Sequence, residues 1–525
     1  MLRLDLGRGL RALSSDFSGT QITHVKDIMA RQDFSLLQVA LYIGGAYLAF
    51  SACRAVYNVY LHPLAKIPGP KLRAAFYFPH NLELVAGDIV HNWHKLHEQY
   101  GEVVRVSPSW ISFTNPDAWR DIYGYGNGKP IPKDPLVYNT AENRTRPANI
   151  LSSNDADHAR IRRCMNHAFS DQALRSQEPI IGSYITLLIS KLQAMARDGT
   201  PVDIMRYVNY TTFDILGDLC FGESFNALES EEYSEWMANL FKGIKLVPFV
   251  RLFKQYPIIG LPFWILTKIF PQILAARTKH DNYTVEKTAK RIEKNTDRKD
   301  FMSYILKHND EKGMTRDEIM RTSGVLIVAG SETSATLLSG AIYYLLSNPT
   351  WLEKVREELD GAFKTESDMT FAPLGQLKVL NAVLTETFRM YPPVPVILPR
   401  ATVKGDAIVC GTFIPKGCTV GVTSYAASRS SHNFRHPDIF APQRHLGDPE
   451  FSDDKRTVIQ PFSVGPRNCI GQTMAWLELR AILAKLLWHF DMELVDKSQK
   501  WDQHKVFVLW DKPALMVRLK MRKHG

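Results

Sequence analysis

The chain has no C-x-x-C pair, although it contains six cysteines, at positions 53, 164, 220, 410, 418 and 469. Their wide spacing leaves no zinc ribbon and argues against a disulfide framework. There is no internal repeat and no nucleotide- or flavin-binding motif. Arginines are not interleaved with aromatics along one face. The net charge of +10 (pI ≈ 9.1) therefore suits an anionic membrane surface or an acidic protein partner, and nucleic acid is not expected. Charged residues make up 22% of the chain, too many for a mainly membrane-spanning protein, while 45% apolar residues provide for a substantial core.

One long uncharged run stands out, 34-FSLLQVALYIGGAYLAFSAC-53, 20 residues ended by Arg54. At ~1.5 Å per residue it can cross a ~30 Å hydrocarbon layer. Arg54, Lys66, Lys71 and Arg73 follow it without an acid, whereas Lys26 and Arg31 before it are mixed with Asp16, Asp27 and Asp33. This asymmetry places the C-terminal body in the cytosol. The glycosylation-like triplets at Asn143, Asn209 and Asn282 would then be unused. The expected organisation is a tail (1–33), a transmembrane helix (34–53), a proline-rich linker (54–72) and a single large domain (73–525). The linker segment 62-HPLAKIPGPKLR-73 favours an extended, stiff backbone.

Within the domain, 103-VVRVSPSWISFTN-115 predicts a hairpin, and helical periodicity dominates from about Ala156. Strand signals return near 407–424 and 506–519, so the expected class is mainly α with small β-sheets. A capping box, Thr315 with Glu318, opens a helix that continues to Pro349. Its middle is apolar nearly all round, yet carries 329-AGSETS-334. Burying such polar groups costs stability unless they are satisfied, which leaves either a functional cluster or a kink with back-bonded Ser and Thr.

Glu386 and Arg389 share a helix face at i,i+3 spacing, with Arg444 downstream in 440-FAPQR-444; alone, such a pair is as consistent with a surface ion bridge. In 461-PFSVGPRNCIGQ-472, Cys469 follows a Gly-Pro turn and Arg467, and precedes a helix start at Gly471. Positive charge and a helix N-terminus favour a thiolate there. Three uses compete: an inert buried thiol, a nucleophile, or a single metal ligand.

The run Phe462–Gly471, F-S-V-G-P-R-N-C-I-G, resembles the haem-thiolate loop of the cytochrome P450 superfamily. The other marks follow in order: A-G-x-E-T-S at 329–334, E-x-x-R at 386–389 and F-x-P-x-R at 440–444, with 158-HARIRR-163 where the family often has W-x-x-x-R. The resemblance implies the cytochrome P450 fold with haem b (iron protoporphyrin IX), Cys469 as axial iron ligand and Phe462 packed near the sulfur. Arg467 would pair with a propionate, helped by Arg162, Arg400 and His158. Gly471 would let the following helix close on the sulfur. Ala329 and Gly330 would leave room for dioxygen, Glu332 and Thr333 would relay protons, and Glu386, Arg389 and Arg444 would form a structural triad. Gln443 and His445 depart from the family's usual P-E-R-[FW], and His158 from its tryptophan.

The resemblance further implies a pocket of Val325, Ala329, Val394, Val396, Ile397, Val508 and Leu509, hence a lipophilic substrate. It is closest to fungal microsomal members that tailor polyketides and terpenoids. Those members sit in the endoplasmic reticulum membrane by one span and take electrons from NADPH through a separate cytochrome P450 reductase, with cytochrome b5 as a further donor. Arg435, Lys455 and Arg456 are candidates for the reductase-facing surface. The segment 259-IGLPFWILTKIF-270 reads equally as a membrane-dipping element or a core helix pair. A haem-thiolate isomerase or dehydratase, disfavoured by the intact Glu332-Thr333 pair, and a haem-binding sensor are the alternatives to a monooxygenase.

Overall fold

Thr315 starts the long helix as its capping box requires. Its Oγ1 accepts from Glu318 N at 3.2 Å, and the Glu318 carboxylate accepts from Thr315 N at 2.9 Å. The helix runs over Arg316–Ser347 without interruption, so the polar cluster at 329–334 makes no kink. Thr333, Thr336 and Ser339 bond back to the carbonyls of Ala329, Glu332 and Ala335, which satisfies them within the helix. In this computed structural model, the described residues are 36–523 apart from 127, 139–146, 234, 270–271, 295 and 297.

The central helix packs most heavily on the helix Ile204–Phe221, of which every residue except Arg206 is buried. Gly330 permits that approach, since a Cβ there would lie 3.0 Å from Leu216 Cδ1. Its small size thus serves helix packing as well as cavity space. The helices Asp171–Asp198, Lys378–Met390 and Gln472–His489 complete the core around it.

The expected hairpin forms as Val103–Ser107 and Trp110–Phe113; the latter pairs in parallel with Thr419–Val422, and Arg400–Ala401 closes a four-stranded sheet. Phe490–Leu494, Met516–Met521 and Val202–Asp203 make a three-stranded sheet. Strands form within the expected 407–424 and 506–519, where Ala407–Val409 pairs with Thr412–Ile414 and Val506–Phe507 with Leu509–Trp510.

Two N-terminal expectations change. Arg54 does not stop the apolar helix: Leu36–Val56 continues into a π turn over Tyr57–Leu61, and its side chains from Gln38 on are almost all exposed. The segment 54–72 is also more folded than an extended linker, with a 3-10 turn at Pro63–Lys66. Buried Arg105 is the cause, because its Nη1 donates to Asn58 O at 2.7 Å while Asn58 Nδ2 donates to Ala75 O at 3.0 Å. The triplet at Asn143 and the tail 1–33 lie outside the described residues. Asn209 is buried, and Asn282 is exposed. The core reading of 259–270 does not hold: Leu261, Ile265, Leu266 and Ile269 are exposed along the helix Pro257–Ile269.

Glu386, Arg389 and Arg444 meet with fully buried side chains, so they are no surface bridge. Arg389 Nε and Nη2 donate to the two Glu386 oxygens at 2.9 and 2.8 Å, and Arg444 Nε lies 3.3 Å from Oε1. His445, the departure from the family pattern, completes the cluster at 3.0 Å from Oε2. Burial pushes the Glu386 carboxyl up, but the Arg389 charge and the His445 hydrogen bond outweigh it and bring it to about 2.

Lowered below its unfolded value, this group contributes stability that is fully present above about pH 4.5 and is lost as pH falls through about 2, a difference on the order of 3 kcal/mol. Glu386→Gln is expected to remove on the order of 3–5 kcal/mol at neutral pH, because two guanidinium groups lose their shared counter-charge. The check is the urea midpoint at pH 7, together with a shallower acid-induced loss of stability in the variant than in the parent.

Candidate functional site

Cys469 opens onto the interior of the protein. Its loop closes through Cys469 N donating to Phe462 O at 2.8 Å and Asn468 N to Gly465 O at 3.1 Å. Gly465, at φ +76°, passes against the Tyr123 carbonyl where a Cβ would collide. The sulfur is accessible, yet what it reaches is a cavity of about 290 Å³ lined by Phe462, Arg467, Cys469 and Gly471 on one side. Leu326, Ala329, Gly330 and Thr333 of the central helix line the other. Ala329 is exposed in the middle of a helix buried on both sides of it, and its exposure is to this space. A Cβ on Gly471 would stand 4.0 Å from the sulfur.

Burial pushes the Cys469 thiol up, against the opposing pull of the Gly471 N–H and the Arg162 charge. The expected thiolate-forming role of Arg467 is thus corrected: Arg162 is the guanidinium that acts on the sulfur, and the protein alone does not overcome desolvation. Arg162 is held there by Asn468, whose Oδ1 accepts from its Nη2 at 2.8 Å.

Arg467 instead donates Nη2 to Ser153 O and Asp155 Oδ1 at 2.9 and 2.8 Å, while its buried Nη1 has no partner. It belongs to a cationic group with Arg162, Arg400 and Lys133, and Lys133 went unnoticed in the sequence. Burial, with Arg467 and Arg400, lowers the Lys133 ammonium to about 7. Burial, with Arg467, Lys133 and Arg162, lowers His158 to about 3, so its imidazole is neutral. Asp155 is the carboxylate that opposes both shifts. An internal cavity with a thiol on its floor, a small-residue wall above it and a cationic rim short of counter-charge fits a planar group carrying its own carboxylates and a metal. Haem meets all three conditions. Phe462 stands in an aromatic cluster with Phe388 and Trp476, at ring separations of 5.3 and 6.3 Å.

A larger cavity of about 660 Å³ adjoins the first, and Ala329, Thr333, Val394 and Leu398 line both. All seven expected pocket residues, Val325, Ala329, Val394, Val396, Ile397, Val508 and Leu509, lie on its wall. Val508 takes φ +83° between two paired strands, a conformation β-branched residues avoid, which turns its side chain into the cavity.

Glu332 and Thr333 do not share a cavity. Glu332 lines a third space of about 220 Å³ with Tyr233, Asp511 and Lys512, and it forms a buried ion pair with Lys512. Lys512 also donates to Thr336 Oγ1 at 2.6 Å. Burial pushes the Glu332 carboxyl up and Lys512 draws it down, with burial prevailing; its Oε2 is buried and unpartnered. A second acid was not anticipated. Glu478 lines the thiol cavity, accepts from Ser334 Oγ at 2.8 Å, and is pushed up to about 8 by burial.

A family model described as Cytochrome P450 matches residues 68–518. The chain is 43% identical to "Cytochrome P450 monooxygenase astA" of Talaromyces wortmannii over 89% of this chain and 94% of that protein. It is 39% identical to "Cytochrome P450 monooxygenase astJ" of Aspergillus oryzae over 90% of this chain and 95% of that protein. It is 41% identical to "Averantin hydroxylase" of Dothistroma septosporum, over 91% of this chain and 90% of that protein.

Lys512→Met should cost about 3–5 kcal/mol, since it leaves the Glu332 carboxylate buried without its cation, and Lys512→Met/Glu332→Leu should recover most of that loss. Urea midpoints of the two single variants and the double variant check the coupling.

Proposed function

The chain belongs to the cytochrome P450 family, and from that premise we propose that Cys469 is the axial iron ligand of haem b held in the cavity between the cysteine loop and Ala329. The protein is a haem-thiolate monooxygenase with a tailoring role in secondary metabolism. The observation that carries the assignment of the ligand is an accessible sulfur that lines a cavity whose opposite wall is the exposed Ala329.

Bound there, haem supplies activation of O2 and delivery of one oxygen atom to an apolar C–H or C=C bond. The residues of the chain do the rest. Gly471 N–H and Arg162 temper charge on sulfur. The unpartnered Arg467 Nη1, with Arg162, Arg400 and Lys133, receives the propionates, and neutral His158 donates an N–H. Phe462 closes the sulfur side. Thr333 gives its own hydroxyl proton to Ala329 O at 2.5 Å, so toward the cavity it offers lone pairs that hold a proton-bearing water. Glu332, whose raised carboxyl readily takes up a proton, carries one inward when it leaves Lys512.

NADPH supplies the electrons through a separate reductase or, for one step, cytochrome b5. Arg435, Lys455 and Arg456 present the basic surface, although Lys455 already pairs with Glu102 at 3.1 Å and Arg435 lies 3.7 Å from Glu450. The uncharged stretch 34–53 anchors the chain in the endoplasmic reticulum membrane by one pass, with the domain 73–525 in the cytosol. The exposed apolar face of Pro257–Ile269 rests on the same bilayer. Relatives named as monooxygenases and as averantin hydroxylase support the monooxygenase over the isomerase and sensor readings, with a polyketide or terpenoid as the proposed substrate.

The reduced, CO-treated protein should show the red-shifted Soret band of a thiolate-ligated haem, lost in Cys469→Ala; an unchanged band in that variant would sink the ligand assignment. Thr333→Ala should keep haem while NADPH consumption runs ahead of product, and tight coupling would count against its role. The full chain should resist carbonate extraction from microsomes, and removal of residues 1–61 should release a large share of it.

A further inference from the structure

The larger cavity carries cations on a wall without a facing carboxylate, the charge of Asp134 reaching Arg251 only from behind that wall. Among the described residues on its wall there is no Asp or Glu, yet Arg251 and Arg321 both line it. Arg251, on the helix Glu235–Gln255, lays its guanidinium over the Trp110 ring at 4.5 Å. That contact takes one face of the group and leaves the N–H donors along its edge free. It makes no ion pair among the described residues, and burial pulls the guanidinium down.

Beside it stands His80, 2% exposed, with both ring nitrogens buried and unpartnered. Its ring is set 5.6 Å from Trp93 and 5.1 Å from Trp110. Burial first, and then the nearby Arg251 and Arg73 charges, push His80 well below its ordinary value, so it is a neutral ring with one N–H to give. A fully buried ring with neither nitrogen partnered, beside a half-buried guanidinium that has no ion pair among the described residues, is costly unless an acceptor arrives with the ligand. Arg251 and His80 belong only to the larger cavity, whereas Ala329 and Thr333 stand where it meets the thiol cavity.

We propose that the substrate is an apolar molecule bearing a carboxylate, bound by Arg251 edge-on with His80 donating a second hydrogen bond, so that an apolar part is left at Ala329 and Thr333. This rests on the monooxygenase reading and narrows its substrate class. A guanidinium matches a carboxylate through paired N–H donors, and the aromatic platform fixes its plane. Arg321 adds positive potential along the same wall. The central helix brings Arg321, Val325, Ala329 and Thr333 to this cavity at i,i+4 steps, and Arg321 and Thr333 are therefore about 18 Å apart along its axis.

The test is equilibrium dialysis of the haem-loaded protein with dodecanoate and, in parallel, methyl dodecanoate. The parent should bind the acid about tenfold more tightly than the ester. Arg251→Gln should erase that preference by weakening the acid alone, Arg251→Lys should keep part of it, and His80→Phe should reduce it severalfold. Equal binding of acid and ester by the parent, or an undiminished preference in Arg251→Gln, would overturn the proposal. The CO spectrum is taken on every sample. A lost band reports failure of the haem reading, or of that variant's fold, and the parent's acid-to-ester ratio then decides. An intact band with no acid preference overturns this inference alone.

Discussion

Glu386 has no exposed surface, and its charge persists only because Arg389 from its own helix and Arg444 and His445 from a segment more than fifty residues downstream converge on it. Taking such charges out of water costs several kcal/mol each, so the cluster is stable only when the remaining donors are also used. They are used: Arg389 Nη1 donates to Ser428 O and Pro437 O, its Nη2 to Ile439 O, and Arg444 reaches Asp454 and His436 O. Each of these acceptors is backbone or a fixed carboxylate in 428–456. The cluster therefore sets the path of that irregular segment against the helix Lys378–Met390. Arg456, donating to Arg444 O, carries the constraint to the residues that enter the cysteine loop.

The cations near the cysteine and in the larger cavity have the opposite character. Around Glu386 donors and acceptors are matched within the chain, and no ligand is needed. Around Arg467, Lys133 and Arg162 the positive charges outnumber the one carboxylate that opposes them, and Arg467 keeps a buried donor idle. At the larger cavity His80 keeps both ring nitrogens idle beside Arg251, with no carboxylate among the described residues of the wall. A folded chain tolerates such imbalance where a bound group restores it. The distinction between matched and unmatched buried cations thus separates what holds this protein together from what it holds.

How much of this was legible in the sequence depended on the range of the contact. The capping box at Thr315, the end before Pro349 and the hairpin at 103–113 are local, and each formed where the residues indicated. The pair Glu386–Arg389 was legible as a shared helix face, but its burial was not, because that depends on Arg444 and His445 arriving from a distant loop. Cys469 was visible as an unusual thiol without revealing whether it was buried, and the ordered set of motifs rather than its neighbours pointed to haem. Lys133, Arg251, His80, Glu478 and Lys512 gave no signal. Each is an ordinary residue in its local stretch, and each gains its meaning from a neighbour brought close by tertiary packing. Arg54 misled in the other direction, since one charge in an exposed helix does not end it.

The separation of Glu332 from Thr333 shows why a motif written in consecutive letters is not a site. Successive residues on an α-helix point about 100° apart, so neighbours in sequence serve different faces. Thr333 shares its face with Val325 and Ala329 and looks into the cavities. Glu332 shares its face with Thr336, and Lys512 binds both from the C-terminal turn. In the proposed relay, a proton collected by Glu332 would therefore have to pass around the helix to reach the Thr333 side. The carboxylate can supply that motion by rotating away from Lys512, but only at the cost of leaving an ammonium buried, which favours return. In the relay proposed above, the ion pair and the burial that weakens its acid would make Glu332 a carrier at rest outside the cavity, and Lys512, two residues past the strand Leu509–Trp510, is the cation that would draw it back.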